Sequence, residues 1–221
     1  MHDIAIHQKV LAQNIEIAGT IREKLKARGI FTLNLISSPG SGKTTIIEKT
    51  AALLPSEIKL AVIEGDLHTE LDSQRLSKLN IPVRQINTGK SCHLDAMMIY
   101  RTLPWVLEQN DLNLLLIENV GNMVCPAEYD LGEDMKVAVM SVTEGDDKPL
   151  KYPAMFNASD HLLINKMDLQ PYTNFDLARA KENALGINPH LNITELSCTT
   201  NSGIDRWVEV LTATVLGQPS A

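Results

Sequence analysis

Cysteine is scarce: there are three in 221 residues, and none precedes Cys92. So small and odd a number argues against a disulfide scaffold and leaves thiols available for metal, as suits a reducing compartment. Basic residues are outnumbered, with 20 Lys and Arg against 27 Asp and Glu, and the formal net charge of -7 argues against general nucleic-acid binding, which favours a basic face. Long apolar runs are missing as well. No stretch approaches the roughly 20 residues that cross a bilayer and no signal peptide opens the chain, so no membrane association and a cytoplasmic location are expected. Internal repeats, low-complexity tracts and linkers are absent. The 44% hydrophobic content is nonetheless enough for one domain with a sizeable core.

That apolar material is distributed in a recognisable order. Ile4 through Arg28 has a helical pattern, with Ile15, Ala18, Ile21 and Leu25 recurring on one face and Gly29 closing it. Short apolar runs follow at Phe31–Ile36, Leu60–Ile63, Val83–Ile86, Leu112–Ile117, Val137–Val142, His161–Ile164 and Ile193–Leu196, separated by helical stretches. The alternation predicts an α/β fold: a mainly parallel sheet covered by helices on both faces, preceded by an N-terminal helix. The expected division is a helix over 1–29, a catalytic domain over 30–217 and a frayed tail over 218–221. Ligands of such sheets bind at the carboxyl ends of the strands.

The first strand runs directly into Ser37-Ser38-Pro39-Gly40-Ser41-Gly42-Lys43-Thr44-Thr45. Gly40 and Gly42 admit the backbone conformations that aim N–H groups, with Ser41 between them, at one anion. Lys43 adds a point charge, Thr44 a hydroxyl for Mg²⁺, and Thr45 completes the nucleotide-binding set. This is a P-loop, and it makes the fold a three-layer P-loop NTPase. Its one deviation is Ser37, where the usual pattern begins with Gly. A second Gly89-Lys90-Ser91 lacks upstream glycines and reads as a loop.

Base choice is indicated by Asn165-Lys166-Met167-Asp168, whose position after the sixth apolar run favours base recognition over the alternative of a polar turn. The Asp168 carboxylate can accept from both guanine N1–H and the exocyclic amine, a donor pair adenine does not present. Asn165 and Lys166 would brace this loop and cover the base. Ser197, after the last run, is placed for a backbone contact to the base.

Two further strands end in acid. Glu118 closes Leu114-Leu115-Leu116-Ile117-Glu118 and belongs near Mg²⁺, while Gly121 can bring a backbone N–H to the γ-phosphate. Asp66 and, farther on, Asp72 are Mg²⁺-shell or switch acids of the same kind, with helix capping as the alternative for Asp66. Position 122 holds Asn, where fast-switching GTPases often place a water-orienting Gln. Slow intrinsic hydrolysis is therefore expected, accelerated by assembly or a partner.

Cys92-His93 and Cys125 supply two thiols and an imidazole, which suit Zn²⁺ or Ni²⁺ and leave a tetrahedral shell open for water or a second subunit. Burial as small apolar groups is the alternative for the cysteines. Cys198 reads as packing beneath the base loop.

Three segments together resemble one family: 87–96, with Asn87-Thr88-Gly89-Lys90-Ser91-Cys92-His93-Leu94-Asp95-Ala96; 117–127, with Glu118-Asn119-Val120-Gly121-Asn122-Met123-Val124-Cys125-Pro126; and 142–148, ending Glu144-Gly145-Asp146-Asp147-Lys148. The chain is similar to the HypB family of hydrogenase nickel-incorporation (maturation) GTPases, within the SIMIBI class of P-loop proteins, from about Ile15 to the last helix. The resemblance implies a GTP/GDP-switched homodimer that uses Mg²⁺ and helps deliver Ni²⁺ to the hydrogenase large subunit with the metallochaperone HypA. It also matches Cys92, His93 and Cys125 to the family's Ni²⁺ or Zn²⁺ site, and Asp66, Asp72 and Glu118 to its acids near Mg²⁺. Many members carry an N-terminal Cys-x-x-Cys-Gly-Cys or a His-rich tract, which this chain lacks; His2 and His7 are a poor substitute. The alternatives are a GTPase serving urease or a cobalamin enzyme, a P-loop small-molecule kinase, and a metal-binding scaffold whose nucleotide site is structural. The proline-rich 144–153 segment reads equally as an interface or a solvated loop.

Overall fold

A computed structural model describes residues 2–66, 79, 81–89 and 91–217. Among them, β1 (Phe31–Ser37), β2 (Leu60–Asp66), β3 (Val83–Asn87), β4 (Leu114–Glu118), β5 (Met135–Ser141), β6 (His161–Asn165) and β7 (Asn192–Glu195) form one sheet in the order β3-β2-β4-β1-β5-β6-β7. Every neighbouring pair is parallel. The seven apolar runs thus become the seven strands. The five inner strands are covered on both faces, which is why their runs are nearly continuous in apolar residues, whereas the edge strands β3 and β7 carry exposed residues.

Helices α1 (His2–Lys26), α2 (Lys43–Leu53), α3 (Ala96–Leu107), α4 (Cys125–Glu128), α5 (Lys148–Lys151), α6 (Pro153–Asn157), α7 (Leu177–Ile187) and α8 (Ile204–Val215) cover the sheet. The period-two alternation of the strands sorts their side chains. Leu33, Leu35, Leu114 and Leu116 join Ile46 and Ile47 of α2 and Trp207 and Leu211 of α8. Leu115 and Ile117 face the other way, onto Ile21 and Leu25 of α1 and Ile99 and Leu103 of α3. Farther along that side, Ala138, Met140, Leu162 and Ile164 pack on Met155 and Phe156 of α6 and Ala180 and Ala184 of α7.

The expected apolar face of α1 needs one correction. Ala18, Ile21 and Leu25 are buried, but Ile15 is 61% exposed and Asn14 takes the inward position. Its amide donates to Asp130 O at 2.7 Å and its Oδ1 accepts from Ala96 N at 2.8 Å. Two otherwise unsatisfied groups of neighbouring segments select a polar side chain there, against the periodicity. Arg22 secures the same helix through two contacts to the Asp130 carboxylate, at 2.7 and 2.9 Å. Burial pushes the Asp130 carboxyl up, but the Arg22 and Gly132 hydrogen bonds outweigh it and hold it below its ordinary value.

The 144–153 segment is helical rather than an open loop. A 3₁₀ turn at Val142–Glu144 is closed by a capping box, with Ser141 bonded to Thr143 N and Glu144 reaching back to Ser141 N, and α5 and α6 follow. The ends of β1, β2, β4 and β6 open on one edge of the sheet, where the candidate residues gather.

Candidate functional site

Between β1 and α2 the chain turns through two left-handed glycines, Gly40 at φ 76° and Gly42 at φ 100°. Gly42 is fixed twice over, because a Cβ there would also run into Asn165 Nδ2. Ser37 is buried and has no such conformation, so the missing Gly of the usual motif costs nothing in backbone terms. Its hydroxyl accepts from Lys43 Nζ at 2.8 Å and donates to Ser38 O at 2.6 Å. The α2 N-terminus follows, where backbone N–H groups and the helix dipole favour an anion.

A cavity of about 540 Å³ lies against this turn, lined by Gly40, Gly42, Lys43, Thr44 and Thr45 and, from the sheet, by Glu64, Gly65, Glu118 and Gly121. In its floor the Thr44 hydroxyl donates to Glu118 Oε1 at 2.8 Å, both residues being buried. A hydroxyl and a carboxylate converging beside a phosphate-type loop are hard oxygen donors, a set that fits Mg²⁺. Asp66 ends β2 on the same edge, though its side chain, like the whole of Asp72, lies outside the described residues. Gly121 closes the opposite wall; a Cβ added there would sit 3.0 Å from Pro39 Cα and N.

The segment after β6 is latched onto the P-loop. Asn165 Nδ2 donates to Ser41 O at 2.9 Å, and Lys166, in the left-handed region at φ 62°, donates through Nζ to Gly40 O at 2.8 Å. Asp168 follows in a 3₁₀ turn, and the buried Ser197 hydroxyl donates to its Oδ1 at 2.5 Å. Cys198 is buried, and its desolvation pushes the thiol up to about 11, as befits packing. The carboxylate is thus oriented by a neighbour and held beside the phosphate loop by two cross-loop bonds.

Cys92, His93 and Cys125 come together although 33 residues separate the thiols: Cys92 Sγ is 3.1 Å from Cys125 Sγ and 3.8 Å from His93 Nδ1. All three ligand atoms lie within 4.8 Å of one another, which suits a single soft or borderline cation. The His93 ring stacks on Tyr129 with centroids 4.0 Å apart. Burial holds the imidazole below its ordinary value, against Asp95 and Glu128. The Cys92 thiol beside it, followed by burial, pushes the Cys125 thiol up.

Three polar residues of this region were not picked out by pattern. Glu144 Oε1 accepts from Ser41 Oγ at 2.6 Å and so braces the P-loop; the Ser-x-x-Glu capping box was the available signal. Glu64 lines the cavity from β2, on the strand that Asp66 ends. Asn119, buried after Glu118, donates to Asn34 Oδ1 at 3.3 Å and accepts from Leu94 N at 3.2 Å. An Asn at a strand end gives no warning of such contacts.

Relatives of the chain are found among known proteins. The family described as CobW/HypB/UreG, nucleotide-binding domain, matches residues 31–195. The hydrogenase maturation factor HypB of Escherichia coli (strain K12) is 50% identical over 202 residues, 91% of this chain and 69% of that protein. Among solved structures, HypB from Helicobacter pylori in complex with nickel aligns with a TM-score of 0.88 at 36% identity, over 95% of this chain and 99% of that one. The hydrogenase maturation factor HypB from Archaeoglobus fulgidus aligns with a TM-score of 0.86 at 39% identity, over 92% and 99%.

Proposed function

The chain belongs to the CobW/HypB/UreG nucleotide-binding family, and on that premise we propose that it is a Mg²⁺-dependent GTPase that assists nickel insertion during hydrogenase maturation. The observation that carries this reading is a continuity of chain. Gly121 lines the cavity beside the P-loop, and four residues later the same segment supplies Cys125 to the thiol–imidazole cluster. A change at the phosphates has only that short path to travel.

In this reading Lys43 and the backbone amides of 40–45 hold the phosphates, and Asp168, oriented by Ser197, takes the guanine N1–H and amine. Thr44 and Glu118, with Asp66 and Asp72, would hold Mg²⁺, which when bound neutralises charge on the phosphate oxygens. Gly121 approaches the γ-phosphate with its N–H, so its segment takes different positions with GTP and GDP. Cys92, His93 and Cys125 receive Ni²⁺ as cargo, with Zn²⁺ as a competing occupant of the same donor set. Hydrolysis is slow, since no Gln follows Gly121 to place a water, and GTP-dependent pairing of two copies supplies the acceleration. The proposed partners are HypA and the hydrogenase large subunit, and the proposed location is the cytoplasm. Among the described residues no helix is long and apolar enough to cross a membrane.

The test is to titrate Ni²⁺ into protein loaded with GDP and then with a non-hydrolysable GTP analogue, with Cys92→Ala as control. Nucleotide-dependent affinity that collapses in the variant is expected. Identical binding in both states refutes the coupling, and nickel handling would then belong to a partner.

A further inference from the structure

The cluster is built from two arms. Cys92 and His93 precede α3, and the next residue, Leu94, is held from two sides. Its N–H donates to the buried Asn119, and its side chain covers Gly65, where an added Cβ would fall 2.8 Å from Leu94 Cδ1. This arm is therefore fixed to the ends of β4 and β2. Cys125 belongs to the other arm, which hangs from Gly121 against Pro39.

One side chain crosses between the arms. Asn122 Nδ2 donates to Cys92 O at 3.3 Å, while its Oδ1 accepts from Val124 N at 2.8 Å. The first contact grips the fixed arm at its metal-binding residue. The second stiffens the short path from Gly121 to Cys125. Asn122 is also covalently next to Gly121, so any displacement of that glycine is passed to both contacts at once.

We propose that Asn122 is the positioning residue that carries nucleotide state to the metal cluster, by setting the separation of Cys92 from Cys125 as Gly121 moves. The inference rests on the nucleotide-coupled reading above and deepens it. It also gives position 122 a use: where other switches place a side chain toward water, this amide is engaged with the Cys92 carbonyl. Coupling between two such sites needs a contiguous element with two arrangements, and the Gly121–Cys125 segment with its Asn122 strap is one.

The experiment measures nickel dissociation constants in the GDP and GTP-analogue states, together with the thiolate-to-nickel charge-transfer absorbance, for the unaltered protein, Asn122→Ala and Asn122→Asp. In the unaltered protein the ratio of the two constants is expected to be about fivefold or more. In Asn122→Ala it falls to one, with the charge-transfer band retained in both states. Asn122→Asp keeps the acceptor for Val124 N and loses the amide donor, which meets Cys92 O and also acts on the Cys125 thiol, so its ratio falls likewise; added charge changes both affinities together and leaves the ratio as the readout. A variant that keeps the unaltered ratio overturns the proposal, as does loss of the band in both states, because a residue that merely builds the cluster does not act on the ratio. If the unaltered protein itself gives a ratio of one, the nucleotide-coupled function fails before Asn122 is considered.

Discussion

Thr44 Oγ1 donates to Glu118 Oε1 across 2.8 Å, tying the first turn of α2 to the end of β4. A hydroxyl from the phosphate loop and a carboxylate from a neighbouring strand thereby share one point of the cavity floor.

Replacing Glu118 by Gln keeps the hydrogen bond geometry and removes the charge. Mg²⁺ affinity of the nucleotide complex is expected to fall by about 10–100-fold, and Mg²⁺-dependent GTP hydrolysis with it. Nucleotide release measured against Mg²⁺ concentration checks this; an unshifted midpoint would remove Glu118 from the metal's surroundings.

Gly40 and Gly42 separate conformational strain from steric exclusion. Gly40 has nothing within 4 Å of an added Cβ, so Gly40→Ala meets only the left-handed backbone, at about 1–2 kcal/mol. Gly42→Ala meets the same strain and also drives a methyl into Asn165. Greater loss of stability and of guanine-nucleotide binding is expected for Gly42→Ala, read by thermal unfolding and fluorescent-nucleotide titration. Equal behaviour of the two would contradict the role given to Asn165.

Asp168→Asn exchanges an acceptor-only group for one that also donates. GTP affinity should fall by about 3 kcal/mol or more, two charge-assisted hydrogen bonds being lost, and a xanthine nucleotide should gain. Competition between the two nucleotides on the variant decides it; unchanged preference for guanine would place base recognition elsewhere.

His161 is buried on β6, with Nε2 2.9 Å from Thr194 Oγ1, and desolvation pushes its imidazole down to about 4. Since the folded value lies below the unfolded one near 6.5, stability is fully present above about pH 6.5. It is lost progressively as pH falls toward about 4, by about 2–3 kcal/mol between about pH 7 and pH 4.5. Urea unfolding at those two pH values should show this loss in the unaltered protein and much less of it in His161→Gln, whose amide can still meet Thr194.

Much of this architecture was legible because its signals are local. An apolar run of five to seven residues ending in Ser37, Glu118 or Asn165 announces a buried parallel strand with chemistry at its carboxyl end, and the structure gathers those three ends on one edge. The inward Asn14, the bracing Glu144 and the Asn119 bridge were not legible in the same way. Each exists to satisfy a backbone or hydroxyl partner on a distant element, a demand that periodicity does not encode. Asn122 was noticed for the Gln it replaces; only the fold revealed that its amide meets Cys92 O.

The two bonds from Asn165 and Lys166 to the carbonyls of Ser41 and Gly40 give the ligand a preassembled receptacle. Base and phosphates do not draw separate loops together on arrival, because those loops are already joined in the folded chain. Little freedom remains to be surrendered at either end, so GDP and GTP should associate at closely similar rates, and the difference between them should surface mainly in how long each stays.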